Sequence, residues 1–141
     1  MFALDKLESK KILVIGDVMI DRYYCGSVTR ISPEAPVPIL KKENEFLLLG
    51  GSANTAVNLC FANQYVSIAS IIGDDVYGDT LINMLINHNI DTTLVYKDKS
   101  RRTTIKTRIL GQNNQQLFRI DEEDTNYVAP KTEEIFLNLL L

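Results

Sequence analysis

The chain has 141 residues, of which 45% are hydrophobic and 23% charged, and a formal net charge of −3. That is the balance of one globular domain with a core of ordinary size, and a net negative chain lacks the Lys and Arg excess a dedicated nucleic-acid surface needs. No apolar run approaches the roughly 20 residues that cross a bilayer, and Met1 to Lys11 interrupts its apolar residues with Asp5, Lys6, Glu8 and Lys10, so neither a membrane span nor a signal segment is expected and the location expected is cytoplasmic.

Lys11 to Gly16 is a short apolar run ending in Gly-Asp, the pattern of a strand buried on both faces of a parallel sheet. Arg22 to Thr29 and Val37 to Leu48 read as extended segments. Between them, Pro33, Pro36 and Pro38 rule out helix and favour an extended, polyproline-like excursion. After Gly50-Gly51-Ser52, a helix is expected from Ala53 to about Asn63. Ser52 is its N-cap candidate, and Ala53, Ala56, Val57, Cys60 and Phe61 form its apolar face. Val66 to Ile72 is a second buried-type strand ending in Gly73-Asp74-Asp75, Gly78 to Asn87 a second helix, and Asp91 to Tyr96 a third strand. Thr103 to Leu110 and Gln115 to Asp121 form a hairpin pattern around Gly111-Gln112-Asn113-Asn114. Lys131 to Leu141 opens a third helix.

Alternating strands and helices indicate an α/β sheet with right-handed crossovers. The extended segments between the first strand and first helix depart from a plain doubly wound fold and imply a small β flap. Ligands of open α/β sheets bind at the carboxyl ends of the strands, which here are Gly16 to Asp21, Gly50 to Asn54 and Gly73 to Asp75.

Cys25 and Cys60 form no Cys-x-x-Cys pair, and His88 is the only histidine, so a zinc site and histidine-dependent nucleophilic catalysis are not expected. His88 reads as the end of a helix. Asp17 and Asp21 follow a buried strand, where a carboxylate accepts hydrogen bonds from vicinal sugar hydroxyls or simply caps a turn. Gly50 and Gly51 let the backbone approach a ligand at a helix N-terminus, with the Asn54 amide alongside; a tight turn with an ordinary cap fits equally. No P-loop or Gly-x-Gly-x-x-Gly is present. On a strand, Thr104, Lys106 and Arg108 share one face and Ile105, Thr107 and Ile109 the other. The two cations suit a substrate phosphate or a protected edge strand. Asp121 to Asp124 reads as a solvated loop rather than a metal site, and Asp74-Asp75 as a turn.

Together, Gly16-Asp17-Val18-Met19-Ile20-Asp21-Arg22-Tyr23, Arg30 to Pro38, Gly50-Gly51-Ser52-Ala53-Asn54-Thr55-Ala56 and Asn114 to Asp121 resemble the ribokinase-like (PfkB) carbohydrate kinases. The Ser-Pro-Glu-Ala-Pro-Val-Pro segment is most similar to the heptose 7-phosphate kinases, which serve ADP-heptose and lipopolysaccharide synthesis. The resemblance covers residues 10 to 124 and implies the N-terminal part of one such domain over residues 1–141. It implies a mostly parallel sheet flanked by helices, with a β lid at 22–48 and 103–121. It further implies that Asp21 accepts sugar hydroxyls, that Gly50, Gly51 and Asn54 hold the ring, and that Lys106 and Arg108 grip the phosphate of a sugar phosphate. A homodimer paired through the lid is also implied.

The family's Gly-Ala-Gly-Asp segment, with the general base and anion hole, has no counterpart among the seven glycines here. The resemblance therefore implies no catalytic or metal-binding residue in this chain, with the ATP and Mg2+ sites mostly in an absent C-terminal half and no turnover alone. Two other readings stand beside this one. One is a kinase fragment for another sugar or a nucleoside, and the other a non-catalytic sugar-binding or dimerisation module.

Overall fold

The computed structural model describes residues 8–141. Most of Met1 to Lys11, including Asp5 and Lys6, lies outside the described residues. Among the described residues, seven strands and three α-helices follow one another as β1 (Lys11–Ile15), β2 (Val18–Ile31), β3 (Pro38–Gly51), α1 (Ser52–Phe61), β4 (Tyr65–Gly73), α2 (Val76–Asn87), β5 (Asp91–Asp98), β6 (Ile105–Leu110), β7 (Gln116–Glu122) and α3 (Pro130–Leu140). They make two sheets. One is a three-stranded parallel sheet in the order β1-β4-β5, and the other a four-stranded sheet in the order β3-β2-β6-β7.

The parallel sheet and the first two helices share one core. Ala53 and Ala56 of α1 and Leu81 and Leu85 of α2 are fully buried with Ile68 of β4, and Ile20 and Ile105 carry that core into the second sheet. The second sheet joins β2 to β6 in parallel, with antiparallel partners β3 and β7 outside them. This is the flap expected from the sequence, and it has more strands than the parallel sheet. Among the described residues, no helix is long and apolar enough to cross a membrane.

Several local expectations are corrected. β1 is not buried on both faces, because Leu13 and Ile15 remain 45% and 59% exposed on the side away from α1 and α2. Strands β2 and β3 are longer than their apolar runs. The chain breaks only at Gly16-Asp17 and enters the second sheet at Val18, so Asp21 lies inside a strand rather than beyond one. The proline-rich segment is a compact connection, not a polyproline excursion, closed by Ser32 N–H donating to the Val37 carbonyl at 2.8 Å. Ser52 does not cap α1. Gly51 occupies the cap at φ 59°, and the Ser52 hydroxyl donates instead to the Asp17 carbonyl at 2.8 Å. Phe61 is 74% exposed and does not complete the apolar face of α1.

Two carboxylates fasten helices to strand ends. Asp75 caps α2 by accepting from Gly78 N–H at 2.8 Å, and its other oxygen accepts from Thr103 N–H at 2.8 Å. Buried Asp98, at the end of β5, accepts from the Ser100 hydroxyl at 2.6 Å and the Thr132 hydroxyl at 2.7 Å, tying the first turn of α3 to the sheet.

Burial pushes the Asp75 carboxyl up, but the Thr103 and Gly78 amides outweigh it and leave the group below its ordinary range. The Ser100 hydroxyl, with Thr132, likewise holds Asp98 low. A carboxylate that is more acidic when folded stabilises the protein above its unfolded pKa of about 4, and that stability fades as pH falls through the lower folded value. Denaturant melts between pH 7 and pH 3 are thus expected to show acid destabilisation that shrinks in Asp75→Asn and Asp98→Asn. Asp75→Ala is expected to cost about 1–2 kcal/mol at pH 7, the usual loss of an N-cap.

Candidate functional site

The second sheet places its side chains by strand alternation. Cross-strand partners share a face, so Asp21 lies level with Leu48, Lys106 and Asp121, while Tyr23 lies level with Phe46, Arg108 and Arg119. The other face carries Ile20, Leu49 and Ile105 into the core. The alternation expected for Lys106 and Arg108 is present, with Ile105, Thr107 and Ile109 buried on the other face.

Asp21 and Asn54 line one groove of about 350 Å³, together with Tyr23, Leu48, Leu49, Val57, Phe61 and His88. Asp21 reaches it from β2, and Asn54 from the first turn of α1, where it stands exposed. The carboxylate is oriented by Arg108, whose Nη1 donates to Asp21 Oδ1. The Arg108 guanidinium also lies 5.3 Å from the centroid of Tyr23, whose ring stacks on Phe46 at 4.7 Å. Hydrogen bonding to Asp21 raises the Arg108 pKa further.

The two glycines act in different ways. A Cβ on Gly50 would lie 2.7 Å from Asp21 Oδ2 and 2.8 Å from Met19 Cγ, so the backbone packs directly against the carboxylate. A Cβ on Gly51 would lie 2.5 Å from the Asp17 carbonyl oxygen, and its φ of 59° is one that side chains rarely adopt. This turn sets the start of α1, and hence Asn54, beside β2.

Lys106 is not part of that groove. It opens on a neighbouring cavity of about 480 Å³ lined also by Asp17, Met19, Arg101, Arg102 and Asp124. Its ammonium donates to Glu123 at 2.9 Å and to Asp121 at 3.2 Å, and the bond to Glu123 leads in raising its pKa. The structure thus joins Asp21, Gly50, Asn54 and Arg108 at one place, while Lys106, level with Asp21 in the strand register, turns its ammonium to Asp121 and Glu123 instead.

Three features escaped the sequence. His88 does close α2, yet it also lines the groove with Asp21 and Asn54, edge-on to Phe61 at 6.2 Å. Asp121 to Asp124 is not a free solvated loop, because Asp121 and Glu123 pair with Lys106, Glu122 pairs with Arg22, and the Asp124 carbonyl accepts from Arg101 at 2.9 Å. Arg22, one residue beyond Asp21, is held on the opposite face by three hydrogen bonds. Helix-end spacing was the only sequence signal for His88, and nothing local marks the others. Among the described residues, no three His, Cys, Asp or Glu side chains gather as a metal site requires.

Comparison with known proteins adds the family context. The pattern for the pfkB family carbohydrate kinase matches residues 9–140. The bifunctional protein HldE of Helicobacter pylori (strain Shi470) is 48% identical over 114 residues, 81% of this chain and 24% of that protein. HldE of Geobacter sulfurreducens is 41% identical over 128 residues, 91% of this chain and 26% of that protein. The chain thus spans about a quarter of the length of these curated relatives. Among solved structures, a carbohydrate kinase from Agrobacterium tumefaciens matches with a TM-score of 0.66 at 25% identity, over 82% of this chain and 36% of that one. Ribokinase from Cryptococcus neoformans, solved in complex with ADP, matches with a TM-score of 0.61 at 22% identity, over 87% of this chain and 37% of that one.

Gly51→Ala is expected to lower stability by about 1–3 kcal/mol, the range for a non-glycine residue forced into a left-handed position. Gly111→Ala, whose Cβ would meet nothing closer than 3.5 Å, serves as the neutral control. Thermal melts of the two variants side by side measure the difference.

Proposed function

Because the chain belongs to the pfkB family of carbohydrate kinases, we propose that it supplies the sugar-binding portion of an ATP-dependent heptose 7-phosphate kinase. The reaction would phosphorylate the anomeric hydroxyl and feed ADP-heptose synthesis for lipopolysaccharide. One observation carries the reading. An oriented carboxylate, Asp21, and an exposed amide, Asn54, line a single groove, with the Gly50 backbone packed against the carboxylate. That set accepts and donates hydrogen bonds to neighbouring hydroxyls of a polyol. The likeness of the Ser-Pro-Glu-Ala-Pro-Val-Pro segment to heptose 7-phosphate kinases supports heptose phosphate over other sugars.

In this reading Asp21 accepts from sugar hydroxyls while Arg108 holds its Oδ1, and Gly50, Gly51 and Asn54 flank the ring. Lys106 and Arg108 attract the substrate phosphate. Both are already paired with carboxylates, so an incoming phosphate dianion competes with Asp121 and Glu123 for Lys106 and with Asp21 for Arg108. The lid segments at 22–48 and 103–121 keep water from acting as acceptor, as phosphoryl transfer demands. Family membership implies ATP as phosphoryl donor. The family's Gly-Ala-Gly-Asp segment, with its general base, has no counterpart among the seven glycines of this sequence, so in this reading no catalytic step is assigned to these residues.

Isothermal titration of the 141-residue chain with heptose 7-phosphate, fructose phosphates and ribose tests the site. Heptose 7-phosphate is expected to bind best. Asp21→Asn is expected to weaken it at least about tenfold, the scale of a lost charge-assisted hydrogen bond. ATP-dependent phosphorylation by the chain alone is expected to be absent, and robust turnover would show that these residues do carry a catalytic step.

The lid also offers a surface for a second copy. Phe46 and Leu48, level with Tyr23 and Asp21, are 43% and 49% exposed on the site-facing side of the sheet. Sedimentation at micromolar concentration is expected to give a homodimer, and Phe46→Glu a monomer.

A further inference from the structure

Behind the groove, on the reverse face of the lid sheet, lies a second polar cluster that the sugar-binding reading leaves unused. Arg22 is at its centre, with only 13% of its side chain exposed. Its Nε donates to Thr107 Oγ1 at 2.9 Å, Nη1 to the Tyr77 hydroxyl at 2.9 Å, and Nη2 to Glu122 Oε1 at 2.6 Å. The guanidinium is also 5.4 Å and 5.6 Å from the ring centroids of Tyr24 and Tyr77. Thr107 is fully buried.

The placement of these partners mirrors the site. Arg22 follows Asp21 on β2. Thr107 sits between Lys106 and Arg108 on β6. Glu122 sits between Asp121 and Glu123, the two carboxylates that hold Lys106. Because successive strand residues point to opposite faces, each member of the rear cluster fixes the backbone from which the groove and phosphate-facing residues project. Moving β2 or β6 by one register step would break the rear triad and the Asp21–Arg108 pair together. Tyr77 belongs to the first turn of α2, whose cap Asp75 is itself bonded to Thr103 just ahead of β6. One guanidinium therefore ties three lid strands to a helix of the other layer.

We propose that Arg22 is the positioning residue of the site, fixing Asp21 on β2 against Lys106 and Arg108 on β6 by joining both strands to Tyr77 of α2. The role in substrate binding rests on the sugar-binding reading; the role in strand positioning does not. The planar fork of arginine is essential to it, since a lysine ammonium cannot span three acceptors in that plane.

The test uses two mild variants, Arg22→Lys and Tyr77→Phe, in the 141-residue chain. Two readouts are taken, heptose 7-phosphate affinity by titration and hydrogen–deuterium exchange of the amides. Affinity is expected to fall about tenfold, as for loss of a buried charge-assisted hydrogen bond, with exchange faster in 105–110 and 116–122 and unchanged in β4. In an Asp21→Asn background, Arg22→Lys is expected to cost less than about twofold more, because both changes remove the same oriented carboxylate. Wild-type exchange in β6 and β7 in both variants overturns the proposal, as does an undiminished tenfold loss in the Asp21→Asn background. If the wild-type chain binds no sugar phosphate, the sugar-binding reading fails while the exchange comparison still decides the positioning role.

Discussion

The structure depends on the alternation of side chains along β2. Asp21 and Arg22 are adjacent in sequence and project to opposite faces of one strand, so the residue facing the groove and the residue anchoring the lid are held by the same piece of backbone. Neither role would be secure without the other. A carboxylate on an unanchored flap would sample many orientations. An anchored flap without Asp21 would offer the groove only its amide and its apolar walls.

The energetic asymmetry of buried polar groups makes this arrangement costly to disturb. A hydrogen bond to a charged group contributes about 1.5–3 kcal/mol, whereas a buried donor left without an acceptor costs a similar amount or more. Arg22 has three acceptors on three different elements, and no buried side-chain nitrogen or oxygen among the described residues lacks a partner. Displacing any one of β6, β7 or α2 therefore strands a guanidinium donor away from water. The aromatic stack of Tyr23 on Phe46 and the Arg108 guanidinium above Tyr23 give the opposite face its own order without closing it. The second sheet is thus hydrogen-bonded from behind and open in front.

Much of this was legible in the sequence, and the exceptions share a cause. The apolar run of β4, the helical periodicity of α2 and the period-two pattern of β6 are local signals, and each element formed where it was expected. The groove was legible through Asp21 and the Gly50–Asn54 segment because both lie at breaks in apolar patterning. Arg22 was not, since its partners are 55, 85 and 100 residues away and no local window contains them. Asp98, whose bond to Thr132 spans 34 residues, was hidden for the same reason. Ser52 misled because a serine ahead of a helix normally caps it, whereas the left-handed Gly51 took that place and turned the hydroxyl toward Asp17. The exposed Leu13 and Ile15 misled in another way, since an apolar run reports what a strand is able to bury and not what covers it.

The central claim, that Asp21 and Asn54 face one polyol, is tested most directly by a two-dimensional amide NMR titration with heptose 7-phosphate. The account predicts saturable shifts of the Asn54 side-chain amide and of the Gly50 and Asp21 backbone amides with a common dissociation constant. Shifts confined to other surfaces, with those three signals unmoved at saturation, would contradict it.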